Sequence, residues 1–427
     1  MSESTKYKVF SKGKIAGLEL RNRIIRAGCF EGMCQDESPS ELLLEHHKAV
    51  SAGGVAMTTV AYCGVSRNGL AFGHEMWMRE EILPMLKRIT GAIHQEGAAA
   101  SIQLGHCGFF ASSRVIKQRP IGPSRKFCTF RLSLSREMTE DDMVQVREDF
   151  GKAAAMAVRA GFDAVELHSG HGYLLSQFLS PWTNNRKDRY GGSLENRLRF
   201  PVSVIQHVRE TVGSAFPILI KMNLRDGFEG GLEVSDAVEV AKRYEAAGAS
   251  ALILSCGFTA KTPLYMLRGN VPTKEFVKAE KNPLLKMGLF LFGNIFVQHF
   301  PFEEMFLLRE ARVVRRAVHM PLVLIGGLCS LENMETAMKE GFDFVQIGRA
   351  TIRDPGIVRK LERGEMLASD CDHCNRCIGE MSAGPVRCVC LAEGRSSSQS
   401  RRLKEPLPGN PLQEPGEFAV DEERGSG

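Results

Sequence analysis

The stretch Ala160-Gly-Phe-Asp-Ala-Val-Glu-Leu-His168 decides the fold. A glycine follows a helical run and precedes a short apolar strand, Ala164–His168. Glycine past a helix end takes the left-handed cap conformation at little cost, so it marks a helix stop. The same order recurs at Ala52-Gly53-Gly54 before Val55–Val60 and at Glu96-Gly97 before Ala98–Leu104. It returns at Ala247-Gly248 before Ala251–Ser255, and at Glu340-Gly341-Phe342-Asp343 before Phe344–Ile347. Three more apolar runs, Ile24–Ala27, Ile218–Met222 and Leu322–Ile325, complete a set of eight strands. Helical segments such as Asp141–Arg159 and Val234–Glu245 separate them. Strands this short and apolar suit a parallel sheet buried on both faces. Eight such units predict an α/β fold, a (β/α)8 TIM barrel, rather than an open doubly wound sheet. No G-x-G-x-x-G follows the first strand, which counts against a dinucleotide-binding sheet.

The barrel is expected over residues 1–365, followed by a short Cys-rich extension over 366–393. The Ser-, Arg- and Pro-rich stretch 394–427 lacks the apolar residues for a core and is expected to be a disordered tail. Across 427 residues, 25% charged and 43% hydrophobic side chains match a soluble globular protein. A formal charge of +5 without a basic stripe gives no case for nucleic acid. The start, Met1-Ser-Glu-Ser-Thr-Lys6, lacks the apolar core of a signal peptide. The apolar run 284–297 is broken by Lys286, Gly288, Gly293 and Asn294 and is too short to span a bilayer. A cytoplasmic protein with no transmembrane segment is therefore expected. Seven scattered cysteines (Cys29, Cys34, Cys63, Cys107, Cys128, Cys256, Cys329) read as reduced, mostly buried thiols.

Chemistry on such a barrel lies at the C-terminal ends of the strands. After the fourth strand come His168, His171 and Tyr173 in a Gly-rich turn. Two imidazoles three residues apart can converge on one substrate oxygen, and a phenol two residues on can deliver a proton. A lone histidine there would read as a satisfied core residue; the concentration of donors points to a site. The third strand carries Gln103, with His106 close behind, and the fifth carries Lys221. The seventh runs into Gly326-Gly327 and the eighth into Gly348-Arg349, where bare N–H groups and a guanidinium suit a phosphate. Singly, each is weak: Gly-Gly is usually a turn, and Arg349 suits a surface ion pair. Together they outline a site for a phosphate-bearing flavin.

At these residues the chain resembles the Old Yellow Enzyme family of FMN-dependent NADH:flavin oxidoreductases, or ene-reductases. The resemblance runs from Leu18-Glu-Leu-Arg-Asn-Arg23 to about Pro355. It is most specific from His168 through Asn185-Arg-Lys-Asp-Arg-Tyr-Gly-Gly-Ser-Leu-Glu-Asn-Arg197, with support from Ile102–His106 and Val345-Gln-Ile-Gly-Arg-Ala350. It implies FMN as cofactor and NAD(P)H as electron donor. Gln103 would meet the flavin pyrimidine edge, Lys221 its N1 and O2, and Gly326, Gly327, Gly348 and Arg349 its phosphate. Ala27 and Val60 would complete the cofactor contacts. His168 and His171 would hold the carbonyl oxygen of an α,β-unsaturated substrate while hydride passes to the β-carbon, and Tyr173 would protonate the α-carbon. The implied partner is a small enone or enoyl molecule, which leaves room for a homo-oligomer. Three positions depart from the commoner pattern. Lys221 stands where many members have Arg, Phe109 replaces an Arg, and Phe30 takes a place often held by a flavin-tuning polar residue. The long stretch 260–306, with apolar Leu289–Phe292, is expected to build a lid or partner surface.

Cys371-Asp-His-Cys374-Asn-Arg-Cys377, followed by Cys388-Val-Cys390, has metal-site spacing. Larger relatives, the dienoyl-CoA reductases among them, place a [4Fe-4S] cluster in a similar segment, with one more residue between their second and third Cys. They also add a flavin/nicotinamide domain, whereas a polar tail follows here. Cluster, zinc and metal-free thiols all stay open, with no metal as the preferred reading. Two other functions compete with the reductase. One is a Schiff-base lyase or aldolase using Lys221; the other is an inactive barrel serving as a binding scaffold.

Overall fold

The computed structural model describes residues 6–279, 286–288, 290, 297–382 and 384–394. Eight parallel strands alternate with helices: β1 (Ile24–Arg26), α1 (Glu41–Ala52), β2 (Met57–Gly64), α2 (Leu83–Gln95), β3 (Ala99–Gly105), α3 (Glu140–Arg159), β4 (Ala164–Ser169), α4 (Leu194–Val212) and β5 (Ile218–Asn223). The order continues through α5 (Val234–Ala246), β6 (Ala251–Ser255), α6 (Leu308–Arg315), β7 (Leu322–Ile325), α7 (Leu331–Lys339), β8 (Phe344–Ile347) and α8 (Ile357–Glu362). Ile347 of β8 registers with Arg26 of β1, and Arg26 with Thr58 of β2, so the sheet closes into a (β/α)8 barrel. The helix-stop glycines behave as the repeat demands: Gly54, Gly97, Gly161, Gly248 and Gly341 all take left-handed φ. At the other helix ends, Ser40, Thr139, Ser193 and Ser330 accept backbone N–H groups as N-caps, each contributing about 1 kcal/mol.

Alternation along each strand divides the core into two shells. Ile24, Val165, Ile218 and Ile220 point outward to the helices, whereas Ile25, Ala164, Leu219 and Phe344 fill the barrel floor. Going up the inward face, the residue type changes. Ala164 gives way to Glu166 and His168, Leu219 to Lys221 and Asn223, and Phe344 to Gln346. On β4, β5 and β8 the inward row thus turns polar toward the C-terminal end of the strand.

Two features depart from the sequence reading. A hairpin, Gly13–Ile15 with Leu18–Leu20, plugs the floor with Ile15 and Leu20. The second strand starts at Met57 and runs past Val60 to Gly64, with a register shift between Val60 and Cys63. Among the scattered cysteines, Cys63, Cys107, Cys128, Cys256 and Cys329 are buried, and Cys29 and Cys34 partly so. Of the stretch 260–306 expected to build a lid or partner surface, residues 280–285, 289 and 291–296 lie outside the described residues, as does the expected tail from 395. Among described residues no helix is long and apolar enough to cross a membrane. The Cys-rich extension packs against the strand-end face: Val386 N–H donates to Glu31 O (2.8 Å), and Ser369 N–H to Cys329 O (2.7 Å).

Candidate active site

Glu166 is the electrostatic centre of the barrel mouth. It is fully buried, and its Oε1 accepts from Lys221 Nζ at 2.8 Å and from Gln103 Nε2 at 2.5 Å. Its Oε2 accepts from Gln346 Nε2 at 3.3 Å. A buried carboxylate is tolerable only when paired and hydrogen-bonded, so these three side chains hold one another in fixed orientation. Lys221 and Gln103 therefore lie together where the sequence places them, each with one donor committed to Glu166. That contact gives Lys221 the part of a partner to Glu166 within the polar layer, which does not favour the lyase reading. Glu166 and Gln346 had a legible signal: a polar residue inside an apolar strand, on its inward face.

Above this layer, His168, His171 and Tyr173 come together. The His168 ring lies 4.6 Å from Tyr173 and 4.9 Å from His171 between centroids, nearly perpendicular to both. Gly170 N–H donates to His168 Nδ1 (3.3 Å), so the neutral ring carries its proton on Nε2. His171 adopts a left-handed φ of 56°, held by three contacts. Its N–H donates to Asn223 Oδ1 (2.9 Å), its carbonyl accepts from Thr259 Oγ1 (2.8 Å), and its Nε2 lies 2.7 Å from Ser255 Oγ. Burial, then the charges of His171 and Lys221, holds His168 well below the usual imidazole range. Burial and Lys221 bring His171 down to about 3. Burial raises the Tyr173 phenol well above 10. At neutral pH the three groups are neutral donors. His106 sits apart and is structural, with Nδ1 accepting from Gly108 N–H and Nε2 facing Asn68.

The phosphate end fits the group expected there. Gly326 and Gly327 hold φ of 101° and 69°, and a Cβ on Gly327 would overlap the Glu303 carbonyl. Successive N–H groups in such a turn form an anion-binding concavity. Arg349 Nη1 donates to Asn375 Oδ1 (2.6 Å) and to the Arg268 carbonyl (2.9 Å), and Arg268 Nε is buried without a partner. Arg268 was missed by the sequence reading, having no motif of its own. Gly28, where a Cβ would come within 2.8 Å of Gln103 Nε2, keeps the floor near the amide bare. These donors and glycines fit FMN. Ala27 is buried beside this floor and bonded to Ile347 O (2.9 Å), but Val60 turns its side chain into the helix-facing core and offers the mouth only its main chain. Phe109 packs with Trp182 and Phe258.

Cys371, Cys374, Cys377, Cys388 and Cys390 line one small cavity with Arg349, Arg353 and Asn375. Cys374 Sγ and Cys390 Sγ are 3.6 Å apart, with Asp372 beside them. Burial pushes the Cys377 thiol up to about 12. As a donor set, this many sulfurs around one cavity fits zinc or an iron–sulfur cluster.

Residues 8–287 match the model of the NADH:flavin oxidoreductase / NADH oxidase family. A 4,4'-dithiodibutanoate disulfide reductase from Rhodococcus erythropolis is 40% identical over 382 residues, 89% of this chain and 94% of that protein. A multifunctional alkene reductase/demethylase OYE from Caballeronia cordobensis is 28% identical over 90% of this chain, which spans 52% of that longer protein. The solved structure of an old yellow enzyme homologue from Zymomonas mobilis superposes with a TM-score of 0.68 at 22% identity, covering 85% of this chain and 95% of that one. With its barrel, its neutral His–His–Tyr cluster and this match over most of its length, the chain belongs to the NADH:flavin oxidoreductase / NADH oxidase family and is an FMN-dependent, NAD(P)H-using oxidoreductase of the Old Yellow Enzyme kind.

Proposed function

We propose that this enzyme reduces the C=C bond of α,β-unsaturated carbonyl compounds. The observation that carries this reading is the packing of His168 against both His171 and Tyr173, with both imidazoles neutral. Bound FMN, reduced by NAD(P)H, supplies the hydride. His168 donates from Nε2 to the substrate carbonyl oxygen. His171 donates from Nδ1, with the Ser255 hydroxyl donating to its Nε2. Negative charge develops on that oxygen as the β-carbon accepts hydride, so preorganised neutral donors lower the barrier. Tyr173, protonated over the whole working pH range, delivers the proton to the α-carbon. Gln103, Lys221 and the main chain at Ala27 position the ring, and Gly326, Gly327, Gly348 and Arg349 its phosphate. We infer a cytoplasmic setting, which keeps the thiols reduced.

The likeness to a disulfide reductase supports a second acceptor. Hydride on one sulfur of an organic disulfide and a proton from Tyr173 on the other would release two thiols. One stopped-flow comparison separates the two: holoenzyme reduced by NAD(P)H is mixed with cyclohexenone or with 4,4'-dithiodibutanoate. Tyr173→Phe should slow reoxidation by the enone about 10²-fold or more, leaving reduction by NAD(P)H intact. Equal loss in both half-reactions would remove Tyr173 as proton donor, and oxidation by the disulfide alone would favour the second reading.

A further inference from the structure

Beside the site lies a cation that the chemistry above does not use. Arg131, in the long connection between β3 and α3, is clamped between two phenylalanine rings, its guanidinium carbon 4.4 Å from the centroid of Phe72 and 4.6 Å from that of Phe110. Phe110 in turn packs against Tyr173 (6.2 Å), and Phe72 against Phe30 (5.0 Å). The guanidinium is therefore part of one aromatic wall with the candidate proton donor, and its charge is felt at the Tyr173 phenol. Rings on both faces leave only the edges of the planar ion for hydrogen bonding.

One of those edges is unsatisfied. Arg131 Nε and Nη2 are buried and have no hydrogen-bond partner, and Arg131 makes no ion pair among the described residues. Glu75 lies near enough for its carboxyl to feel the Arg131 charge, but its Oε2 accepts the N–H groups of Ala71 (2.6 Å) and Phe72 (2.9 Å), and it forms no ion pair with Arg131 among the described residues. The Nε–Nη2 edge is the side-on fork that matches a carboxylate. Elsewhere in this chain that same edge does take one: Arg67 grips Glu37 through Nε and Nη2 at 2.8 and 2.7 Å. Arg312 grips Glu340 in the same way at 2.7 and 2.6 Å. A buried guanidinium edge without a partner is costly to maintain.

We propose that Arg131 is a specificity-determining residue whose Nε–Nη2 fork binds a carboxylate on the acceptor, so that the enzyme's substrates are small unsaturated or otherwise reducible acids. This rests on the acceptor occupying the His168–Tyr173 site. The dinucleotide donor also carries oxyanions, its phosphates, and the test separates them.

The holoenzyme is titrated with 4-oxopentanoate and with its methyl ester, following the flavin absorbance, for the wild type, Arg131→Gln and Arg131→Lys. The wild type should bind the acid about tenfold or more tightly than the ester. Arg131→Gln should bring that ratio near one, and Arg131→Lys should restore part of it. A merely structural role would weaken acid and ester alike, and a thermal melt of each variant identifies any unfolding. A wild-type ratio near one, or an unchanged ratio in Arg131→Gln, overturns the proposal. So does a variant that loses NAD(P)H affinity while keeping the acid preference, since the fork would then serve the dinucleotide. The matched enone pair, 4-oxopent-2-enoate and its methyl ester, reads turnover. If neither reoxidises the reduced flavin while the saturated acid is still selected through Arg131, the ene-reductase reading falls and the carboxylate fork stands.

Discussion

Glu75 shows how burial, more than proximity to charge, sets the behaviour of single residues in this mouth. Burial is the largest influence on its carboxyl and brings it up to about 7, against the two N–H groups and the Arg131 charge that pull it down. Its charge reaches both Tyr62 and Tyr173. Because the folded value of about 7 exceeds the ordinary 4.5, folding takes up a proton between them. The stabilisation linked to that proton is complete below pH 4.5 and is lost as pH rises through about 7. Glu75→Gln keeps an oxygen for both N–H groups and cannot ionise. Relative to the wild type it should gain stability across that window, by at most about 3 kcal/mol. Urea melts at a series of pH values check this, and a constant difference between the two proteins would refute it. His171 titrates far from neutrality, at about 3, so any ionisation near pH 7 in the rate profile should disappear in Glu75→Gln.

At the level of elements, the site is a layer that strands contribute to in turn. β3, β4, β5 and β8 each send one polar side chain inward at the same height, and Glu166 ties them together. Lys221→Met would strip Glu166 of its counter-ion in a fully buried setting, a loss worth about 3–5 kcal/mol. Adding Glu166→Gln should recover at least half of that, because a neutral amide needs no cation. Denaturant unfolding of the single and double variants measures it, and simple additivity would show that the two residues are not coupled. Gly327→Ala tests the βα turn after β7. With φ at 69° and the Glu303 carbonyl in the way, alanine should force the loop apart. FMN should then leave on dialysis from the variant and stay on the wild type.

Across the whole molecule, the Cys-rich extension is bonded into the barrel face that carries Arg349 rather than hanging from it. Asn375 accepts from Arg349 and donates to the Asn270 carbonyl (3.1 Å), and His74 Nε2 lies 2.7 Å from the Met381 carbonyl. Asn375→Ala should free the Arg349 guanidinium and weaken FMN binding about 3- to 10-fold, measured by quenching of flavin fluorescence. An unchanged affinity would mean the extension only covers the face. Iron and zinc assays on the same preparation show what the five sulfurs hold, and a preparation free of both leaves them as thiols.

The barrel was legible because its information is local and repeated. Gly161 or Gly341 after a helix, and an apolar run of four to six residues after each, say the same thing wherever they occur. His168, His171 and Tyr173 were legible for a similar reason: they lie within six residues of one another, so no long-range contact is needed to bring them together. The rest depends on distance in the chain. That Glu166 would meet Gln103 and Gln346, or that an arginine from a distant loop would be held between Phe72 and Phe110, follows from which strands adjoin and which face each residue takes once the barrel closes. The hairpin that plugs the floor was missed for the same reason, since Ile15 and Leu20 gain their meaning only from the open barrel end they fill. Sequence by itself determined the repeating unit and the nearness of His168, His171 and Tyr173, which are set by backbone preference and short spacing. Only the tertiary structure decided the charge pairing and the environment of each group, because burial and partner choice are properties of the closed barrel.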